Sequence, residues 1–233
     1  MTDEEPASDG RNEQNKSAWD SLYAQTDGPV WGDPIPFVKE FAEKLAEQFS
    51  ADSKLLDAAA GEGRHTPLLI DLPGETYACD GAEHALEKLQ TLSDNLKTRL
   101  CDLSETGFED GQFDFVLLID TIETLPNVEK GMAEMNRILK PGGLLLCNIP
   151  GEEDNIAGEN MEDCGVPDED SYWYDDRYYY RFFEEEEAIQ MVNAAGFSVV
   201  ENVMRTWTEK PHPHFREKEH DHTSRVFLLK KRG

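Results

Sequence analysis

The chain has 233 residues, 38% of them apolar and 30% charged, which is enough for one large domain with a buried core. Its 49 acidic and 22 basic residues give a formal net charge of -27 at pH 7. Such a charge repels phosphate backbones, so we expect no nucleic-acid partner. Two explanations of the acidity stay open: a solvated surface of the kind found in salt-adapted proteins, and a cationic partner or substrate.

The cysteines and the apolar runs indicate the compartment. Four cysteines show neither a Cys-x-x-Cys pair nor metal-ligand spacing, and three of them lie in strand-like apolar runs, as free thiols of a reducing compartment do. No apolar run is long enough to span a membrane, and the acidic N-terminus does not resemble a signal peptide. We therefore expect a cytoplasmic protein, monomeric or homodimeric, with no membrane partner and no metal.

The predicted elements begin after residues 1–11, a polar acidic stretch that we interpret as a disordered tail. Apolar residues recur at helical spacing over 12–25 and 35–49, so residues 12–50 are predicted to form N-terminal lid helices. Between positions 54 and 150, short apolar runs then alternate with helical patterns. The predicted strands are 54–58, 76–79, 97–101, 113–119 and 144–149, and the helical stretches lie near 64–71, 82–93 and 128–139.

The last third of the chain has a different pattern. Residues 151–176 are rich in Gly, Asp, Glu and aromatic residues, which predicts a long excursion on the substrate side of the sheet. A helix is predicted over 184–195, followed by strands over 197–203 and 225–229 with a His-rich segment, 210–222, between them. The alternation of strands and helices predicts an α/β fold, a doubly wound, Rossmann-like and mostly parallel sheet, as one domain over 12–233.

The most informative segment is the turn after the first strand. An apolar strand ends at Asp57 and leads into small residues that include Gly61 and Gly63, with a helix start behind them. Small residues let backbone N–H groups approach a ligand, although a tight turn without a ligand has the same local pattern. The next strand ends at Asp80, where a carboxylate can accept hydrogen bonds from two ribose hydroxyls. Together these residues predict a nucleoside site at the carboxyl edge of the sheet.

NAD is the obvious alternative nucleoside ligand. Its fingerprint needs a third glycine where the helix packs on the strand, and Thr66 occupies that position here. The chain also lacks a second dinucleotide-binding half. The sequence therefore disfavours NAD.

Segments between residues 54 and 150 resemble, in order, the motifs of class I S-adenosylmethionine-dependent methyltransferases. These segments are Asp57-x-Ala59-x-Gly61-x-Gly63, in which Ala59 replaces the commoner glycine, then Tyr77-Ala78-Cys79-Asp80-Gly81, Cys101-Asp102-Leu103, residues 111–116 with Leu118-Ile119-Asp120, and residues 137–143. The resemblance implies a seven-stranded sheet with a reversed last strand and S-adenosyl-L-methionine as cofactor. It also implies that Asp57 and the glycine loop lie near the methionine moiety, Asp80 on the ribose and Asp102 with Leu103 around the adenine. Ala59, Gly81 and Asp120 complete the implied cofactor residues of this core.

The flanking segments more loosely resemble small-molecule methyltransferases of the tellurite-resistance and thiopurine type. The likeness lies in Trp19-Asp20-x-x-Tyr23 with Trp31, in Tyr180-Arg181-Phe182-Phe183, and in residues 195–197 and 211–224. It implies a small-molecule substrate, with a thiol, selenol or chalcogen oxyanion as a hypothesis. We assign Trp19 and Tyr23 to the cofactor and Trp31, Tyr180, Arg181 and His212 to the substrate, while ordinary packing stays an alternative for the aromatic residues.

A catalytic residue is harder to predict, because in-line methyl displacement depends mainly on proximity and alignment. The weak candidates for a base are His222, Glu123 and His65. The four histidines from His212 to His222 fit no closed zinc pattern, and acceptor binding, proton acceptance and a solvated loop all stay open for them. No Asn/Asp-Pro-Pro-Tyr or Pro-Cys sequence follows the fourth strand, which argues against amino-methylating nucleic-acid enzymes and cytosine C5 methylation. A protein or RNA methyltransferase and a non-catalytic cofactor-binding scaffold remain the alternatives.

Overall fold

The computed structural model describes residues 10–151, 154, 160–165 and 170–233. The strands are β1 (Lys54–Ala58), β2 (Glu75–Asp80), β3 (Lys97–Leu100), β4 (Phe113–Leu118), β5 (Leu139–Pro150), β6 (Met161–Asp163), β7 (Ser171–Tyr174), β8 (Tyr178–Arg181), β9 (Phe197–Glu209) and β10 (His220–Lys231). The helices are α1 (Gly10–Gln25), α2 (Pro36–Leu45), α3 (Thr66–Ile70), α4 (Glu83–Leu89), α5 (Val128–Ile138) and α6 (Glu185–Ala194), with 3-10 turns at Ala46–Gln48 and Ile122–Thr124.

The central sheet has seven strands in the order β3-β2-β1-β4-β5-β10-β9. Strands β1 to β5 are parallel, whereas β10 runs antiparallel to both of its neighbours. The predicted Rossmann-like sheet with a reversed last strand is therefore confirmed.

Alternation along the central strands builds a core on each face of the sheet. Leu55 of β1 joins a cluster with residues of α2 and α3, whereas the next residue, Leu56, joins a cluster with residues of α5 and α6. Both leucines are fully buried, which explains why β1 and β4 appear as continuous apolar runs in the sequence. The helices thus cover both faces and leave the carboxyl ends of the strands for a site.

The two last strands are much longer than predicted. They pair from Lys231 with Phe197 out to His220 with Glu209, so the predicted His-rich loop shrinks to residues 210–219. The apolar pattern did not predict this extension, because most residues in the outer part of the hairpin are polar. In that part, for example, His222 pairs with Trp207. His220 and His222 accordingly lie in a strand, not in a loop.

Two further boundaries differ from the prediction. α1 begins at Gly10, so residues 10 and 11 are helical, and the side chain of Arg11 lies over the ring of Tyr179 with 5.5 Å to its centroid. The predicted excursion over 151–176 contributes β6 and β7 to a small sheet with β8, in which aromatic side chains pair across strands. Residues 1–9 of the predicted tail and residues 152–153, 155–159 and 166–169 of the excursion lie outside the described residues.

Within the described ranges we find no helix with the length and hydropathy that crossing a bilayer requires.

Candidate active site

A cavity lies at the carboxyl ends of the parallel strands, beneath α1. The sheet order reverses between β1 and β4 at this point, which is where open α/β sheets usually hold ligands. Most of the predicted site residues line it: Trp19, Tyr23, Trp31, Ala59, Gly61, His65, Asp80, Gly81, Asp102, Leu103, Asp120, Glu123, Tyr180, His212 and His222. Asp57, Gly63 and Arg181 do not line it.

The glycine loop has the strained backbone that close approach requires. Gly61 has a φ of 55°, and a Cβ there would lie 2.5 Å from the Tyr23 hydroxyl oxygen. Ala59 adopts a φ of 53° although it is not a glycine. Gly63 also has a positive φ, but a Cβ there would collide with the side chains of Leu89 and Leu92. Gly63 is thus packed against α4 and the turn that follows it.

Asp80 is fixed in place at the end of β2. Its Oδ2 accepts a hydrogen bond from the Gly61 backbone N–H at 2.7 Å, and its Oδ1 accepts one from Ala82 at 2.8 Å. Burial raises the pKa of this carboxyl group, and the backbone donors act in the opposite direction. The carboxylate is therefore held at the cavity wall by the loop it follows.

Asp102 occupies the corresponding place after β3. Its carboxylate accepts hydrogen bonds from Ser104 Oγ at 2.6 Å and from Asn12 Nδ2 at 3.0 Å. Burial alone would raise the pKa of Asp102, but these hydrogen bonds outweigh burial and lower it. Asp102 is thus an ionised acceptor that also anchors the first turn of α1.

Asp57 lies beneath the loop instead of at the cavity wall. Its Oδ2 accepts a hydrogen bond of 2.6 Å from Thr66 Oγ1, which turns the carboxyl group toward the start of α3. Burial raises the pKa of Asp57 to about 7, and the nearby charge of Asp80 adds to the shift. The geometry gives Asp57 the position of a support for the loop.

The N-terminal segment forms a lid, defined here as residues 10–35, over the cavity. Asn15 is buried in α1, donating to the Thr124 carbonyl at 2.8 Å and accepting from the Tyr179 N–H at 2.9 Å. Glu62 in the glycine loop accepts hydrogen bonds from the Val30 and Trp31 N–H groups at 2.5 and 2.9 Å. Neither Asn15 nor Glu62 was predicted as a site residue, although a charged residue between Gly61 and Gly63 is a signal that the loop binds something besides a cofactor.

Asp120 marks the opposite end of the cavity. It follows β4 with a φ of 49° and exchanges two hydrogen bonds with the buried Asn148, one from its backbone N–H at 2.8 Å and one to its Oδ1 at 2.7 Å. The Asp120 side chain lines the cavity. Desolvation raises the pKa of its carboxyl group, and the positive charges of His222 and Arg64, which act to lower that pKa, only partly offset this. The pairing with Asn148 thus fixes the carboxyl group of Asp120 at the end of the cavity away from Asp80 and Asp102.

Histidines of the β9–β10 hairpin converge on the same end. The ring centroids of His212 and His220 are 5.1 Å apart, and those of His220 and His222 are 4.9 Å apart. Burial lowers the pKa of His212 to about 4, so its ring is neutral. His214 is exposed and lies outside the cavity. Across the part of the chain that the structure describes, no group of three acidic, His or Cys side chains is arranged to hold a metal ion.

A buried ion pair connects the glycine loop with this hairpin. Arg64 donates to Glu209 Oε1 at 2.6 Å, and the two side chains are 10% and 7% exposed. Trp207 Nε1 donates to the same oxygen of Glu209 at 2.8 Å. The pair therefore ties the end of β9 to the start of α3.

The three candidate bases differ in their surroundings. His65 Nε2 accepts a hydrogen bond from the Ile35 N–H at 3.4 Å, and burial holds its pKa well below the ordinary value. Burial, together with the charge of Asp120, raises the pKa of Glu123 well above its ordinary value. His222 lies at the cavity wall with its Nδ1 3.1 Å from Asp154 Oδ2.

Arg181 does not reach the cavity. It pairs with Glu187 at 2.6 Å and with Glu129 at 3.4 Å, and its guanidinium lies over the ring of Phe183. Arg181 is therefore paired with acidic residues of α6 and α5.

The central part of the chain is similar to known methyltransferases. Residues 56–147 match the family model of a methyltransferase domain. The demethylmenaquinone methyltransferase of Staphylococcus aureus is 37% identical over 101 residues, which cover 41% of this chain and 42% of that protein. The match thus spans less than half the length of this curated relative.

The fold is also similar to solved methyltransferase structures. The 1,6-didemethyltoxoflavin-N1-methyltransferase of Burkholderia thailandensis, solved with 1,6-didemethyltoxoflavin and S-adenosylhomocysteine, has a TM-score of 0.66 at 18% identity, covering 100% of this chain and 94% of that chain. A S-adenosylmethionine-dependent methyltransferase from Methanosarcina mazei has a TM-score of 0.64 at 16% identity, covering 86% of this chain and 99% of that chain. Identities this low show a shared fold.

The matched segment begins within β1 and contains β2, β3 and β4, with the strand ends that carry Asp80, Asp102 and Asp120. It includes the motifs on which the sequence resemblance rested. The segment that matches a methyltransferase domain, residues 56–147, is thus the one whose motifs predicted a methyltransferase of the S-adenosyl-L-methionine-dependent class.

Proposed function

We propose that the whole chain transfers a methyl group from S-adenosyl-L-methionine to a small-molecule acceptor. The observation that carries this proposal is a single cavity with two kinds of wall. Asp80 and Asp102 present carboxylates at its nucleoside end, whereas aromatic and His side chains of the lid and of the β9–β10 hairpin form its other end.

The residues at the nucleoside end fit the cofactor. Asp80 has the fixed geometry to accept hydrogen bonds from the two ribose hydroxyls, and Asp102 to accept one from the adenine amino group. The Trp19 and Tyr23 rings suit a sulfonium cation, because aromatic faces attract positive charge. The cofactor supplies an already activated methyl group, so the protein has mainly to bind and align the reactants.

A small acceptor is favoured by the way the cavity is closed. Asn15 and Glu62 fasten the lid to elements on two sides of the cavity, and the rings of Trp31 and Phe215 lie 5.7 Å apart at its wall. A protein or RNA acceptor would need a broad open face at this place. The relatives named above also carry the names of small-molecule acceptors. A thiol, selenol or chalcogen oxyanion stays our more specific hypothesis, based on the tellurite-resistance and thiopurine resemblance.

Calorimetric titration with S-adenosylmethionine and S-adenosylhomocysteine tests the cofactor half. We expect Asp80→Ala to weaken binding about 100-fold, because two hydrogen bonds to a charged group at roughly 1.5 kcal/mol each are lost. The exposed Asp52→Ala removes one negative charge outside the cavity and serves as the control. Failure of the intact protein to bind either compound, at low or high salt, contradicts the proposal.

Transfer of a labelled methyl group to a panel of small thiols, selenols and chalcogen oxyanions tests the acceptor half. Labelling of at least one small acceptor supports the proposed substrate class. Transfer only to a protein or an RNA would replace the small-molecule proposal with the macromolecular one.

A further inference from the structure

We propose that His222 is a catalytic base, positioned by Asp154, which takes the proton of a methyl acceptor carrying an O–H, S–H or N–H group. This inference rests on the proposed function and narrows its acceptor to protic nucleophiles.

The hydrogen bonds of Asp154 select one tautomer of His222. Asp154 is 2% exposed, and its Oδ2 lies 3.1 Å from His222 Nδ1 and accepts the Thr223 N–H at 2.9 Å. An ionised carboxylate only accepts, so Nδ1 carries the proton and Nε2 of the neutral ring keeps its lone pair. The ring is also held in its plane, because it stacks on Trp207 with 5.2 Å between centroids. This is the arrangement by which a carboxylate orients a histidine base.

His222 lies at the reacting end of the cavity. Asp80 ends β2 and Asp102 follows β3, on one side of the sheet reversal. His222 lies on β10 beyond the end of β5, since Ser224 is already paired with Pro150, the last residue of β5. A ligand whose nucleoside binds at Asp80 and Asp102 therefore extends toward His222, where its acceptor partner must bind.

The charges around His222 suit proton uptake. Burial lowers the pKa of His222, but the carboxylates of Asp154 and Asp120 outweigh burial, while Arg216 opposes them, and the net shift is upward. His220, its neighbour on the same strand, has a lowered pKa because it is buried, so it stays neutral beside His222. An imidazolium formed at His222 is thus stabilised by two acidic groups from different loops.

Two buried polar atoms indicate what else the acceptor offers. Among the described residues, His220 Nε2 and Glu123 Oε2 have no hydrogen-bond partner, although both side chains are buried and both line the cavity. His220 Nδ1 donates to the Lys218 carbonyl at 2.8 Å, so its Nε2 is an acceptor. Burial favours the protonated form of Glu123, in which its carboxyl group can donate. Leaving such atoms unpaired is unfavourable, so they favour an acceptor with polar atoms of its own around the nucleophile.

The step balances without another reactant. The acceptor atom forms its bond to the sulfonium methyl carbon as its proton passes to His222 Nε2. The carbon–sulfur bond breaks and its electron pair stays on sulfur, so the products are the methylated acceptor, S-adenosylhomocysteine and an imidazolium beside Asp154. The imidazolium then loses its proton to solvent.

The experiment uses phenol, thiophenol and aniline as protic probes and thioanisole as an aprotic probe of similar size. We expect the intact protein to methylate at least one protic probe and His222→Gln to lower kcat by about 10²- to 10⁴-fold, the usual contribution of a general base. The dissociation constant of S-adenosylhomocysteine should not change. His214→Gln, in the same hairpin but outside the cavity, should leave kcat unchanged.

Asp154→Asn separates a positioning role from a merely structural one. Removing this carboxylate should lower the pKa of His222, so the rise of kcat with pH should begin at a lower pH while its plateau falls. Nitrogen NMR of the imidazole ring in the intact protein gives a readout that needs no variant, and we expect the proton on Nδ1.

Each of several results would overturn the assignment: a proton on Nε2, an unchanged kcat in His222→Gln, or transfer to thioanisole alone. Absence of transfer to every protic probe by a protein that binds S-adenosylhomocysteine would overturn it as well. Loss of cofactor binding in the intact protein would instead refute the proposed function, so the two failures are distinguishable.

Discussion

The two ends of the cavity are built in different ways. At the nucleoside end, Asp80 and Asp102 lie at the carboxyl ends of two strands of the parallel sheet, and neighbouring backbone or side-chain donors hold them. At the acceptor end, Asp120, Asp154 and His222 come from three separate segments. The first end is thus set by local strand-to-loop geometry, and the second only by tertiary packing.

This difference also determines where the buried charge lies. The carboxylates of the nucleoside end are paired mainly with N–H and O–H dipoles, whereas the hairpin end depends on ionic partners such as Arg64 with Glu209. Removing a partner from a buried ion pair leaves an uncompensated charge, so we expect the connection between the two ends to be the most sensitive point.

The largest effect on stability is expected from Arg64→Ala. Because the pair with Glu209 is buried at 2.6 Å, this change should lower the free energy of unfolding by about 3–5 kcal/mol, measured by urea denaturation. Arg205→Ala is the matched control, since its pair with Glu40 is 2.9 Å long but exposed and should be worth less than about 1 kcal/mol. Equal losses in the two variants would show that burial does not distinguish the pairs.

The next effect is a dependence of stability on pH caused by Asp57. Its pKa is raised to about 7, so the folded state keeps a proton that the unfolded chain loses near its ordinary value of 3.8. The contribution of Asp57 to the free energy of unfolding is therefore largest below pH 4. It falls as the pH rises to about 7, by up to roughly 1.4 kcal/mol per pH unit.

Asp57→Asn should remove this slope. Urea denaturation at several pH values gives the free energy of unfolding of both proteins. The variant should become more stable relative to the intact protein as the pH rises from 4 to 7. The exposed Asp52→Asn corrects for the loss of one negative charge from a protein with a net charge of -27. A difference that does not change with pH would mean that Asp57 is ionised throughout.

A smaller effect is expected where the lid meets the glycine loop. Glu62→Ala removes the acceptor of the Val30 and Trp31 N–H groups and should cost about 2 kcal/mol, with faster hydrogen exchange at both amides. Glu62→Gln keeps one acceptor oxygen, so its free energy of unfolding should lie between those of Glu62→Ala and the intact protein. Unchanged exchange in Glu62→Ala would show that the lid is held elsewhere.

The contrast between the two ends also explains what the sequence could predict. β1 coincides with its predicted bounds, and Asp80, Asp102 and Asp120 line the cavity, because apolar runs locate strands and strand ends locate loops. Gly63 and Asp57 show the limit of this argument. They belong to the same motif, yet packing turns one toward Leu89 and the other toward Thr66.

At the acceptor end, contacts between residues distant in sequence could not be predicted. The pairing of His222 with Asp154 joins residues 68 positions apart, and no periodicity could indicate it. Arg181 was assigned to the substrate from a local resemblance, but its partners Glu187 and Glu129 lie on helices whose placement the sequence did not specify. The long hairpin strands were missed because their outer halves are polar.

The smallest effects come from two neighbouring loop positions and should have opposite signs. Gly61→Ala places a Cβ against Tyr23 at a φ of 55°, which should cost about 1–2 kcal/mol and weaken S-adenosylhomocysteine binding. Ala59→Gly relieves a φ of 53° and should stabilise the protein by up to about 1 kcal/mol. Gly28→Ala, with no atom within 4 Å of its added Cβ, is the control for the glycine background. If both loop variants were destabilised alike, backbone strain would not be the cause, and the side chain of Ala59 would itself be a needed part of the cavity wall.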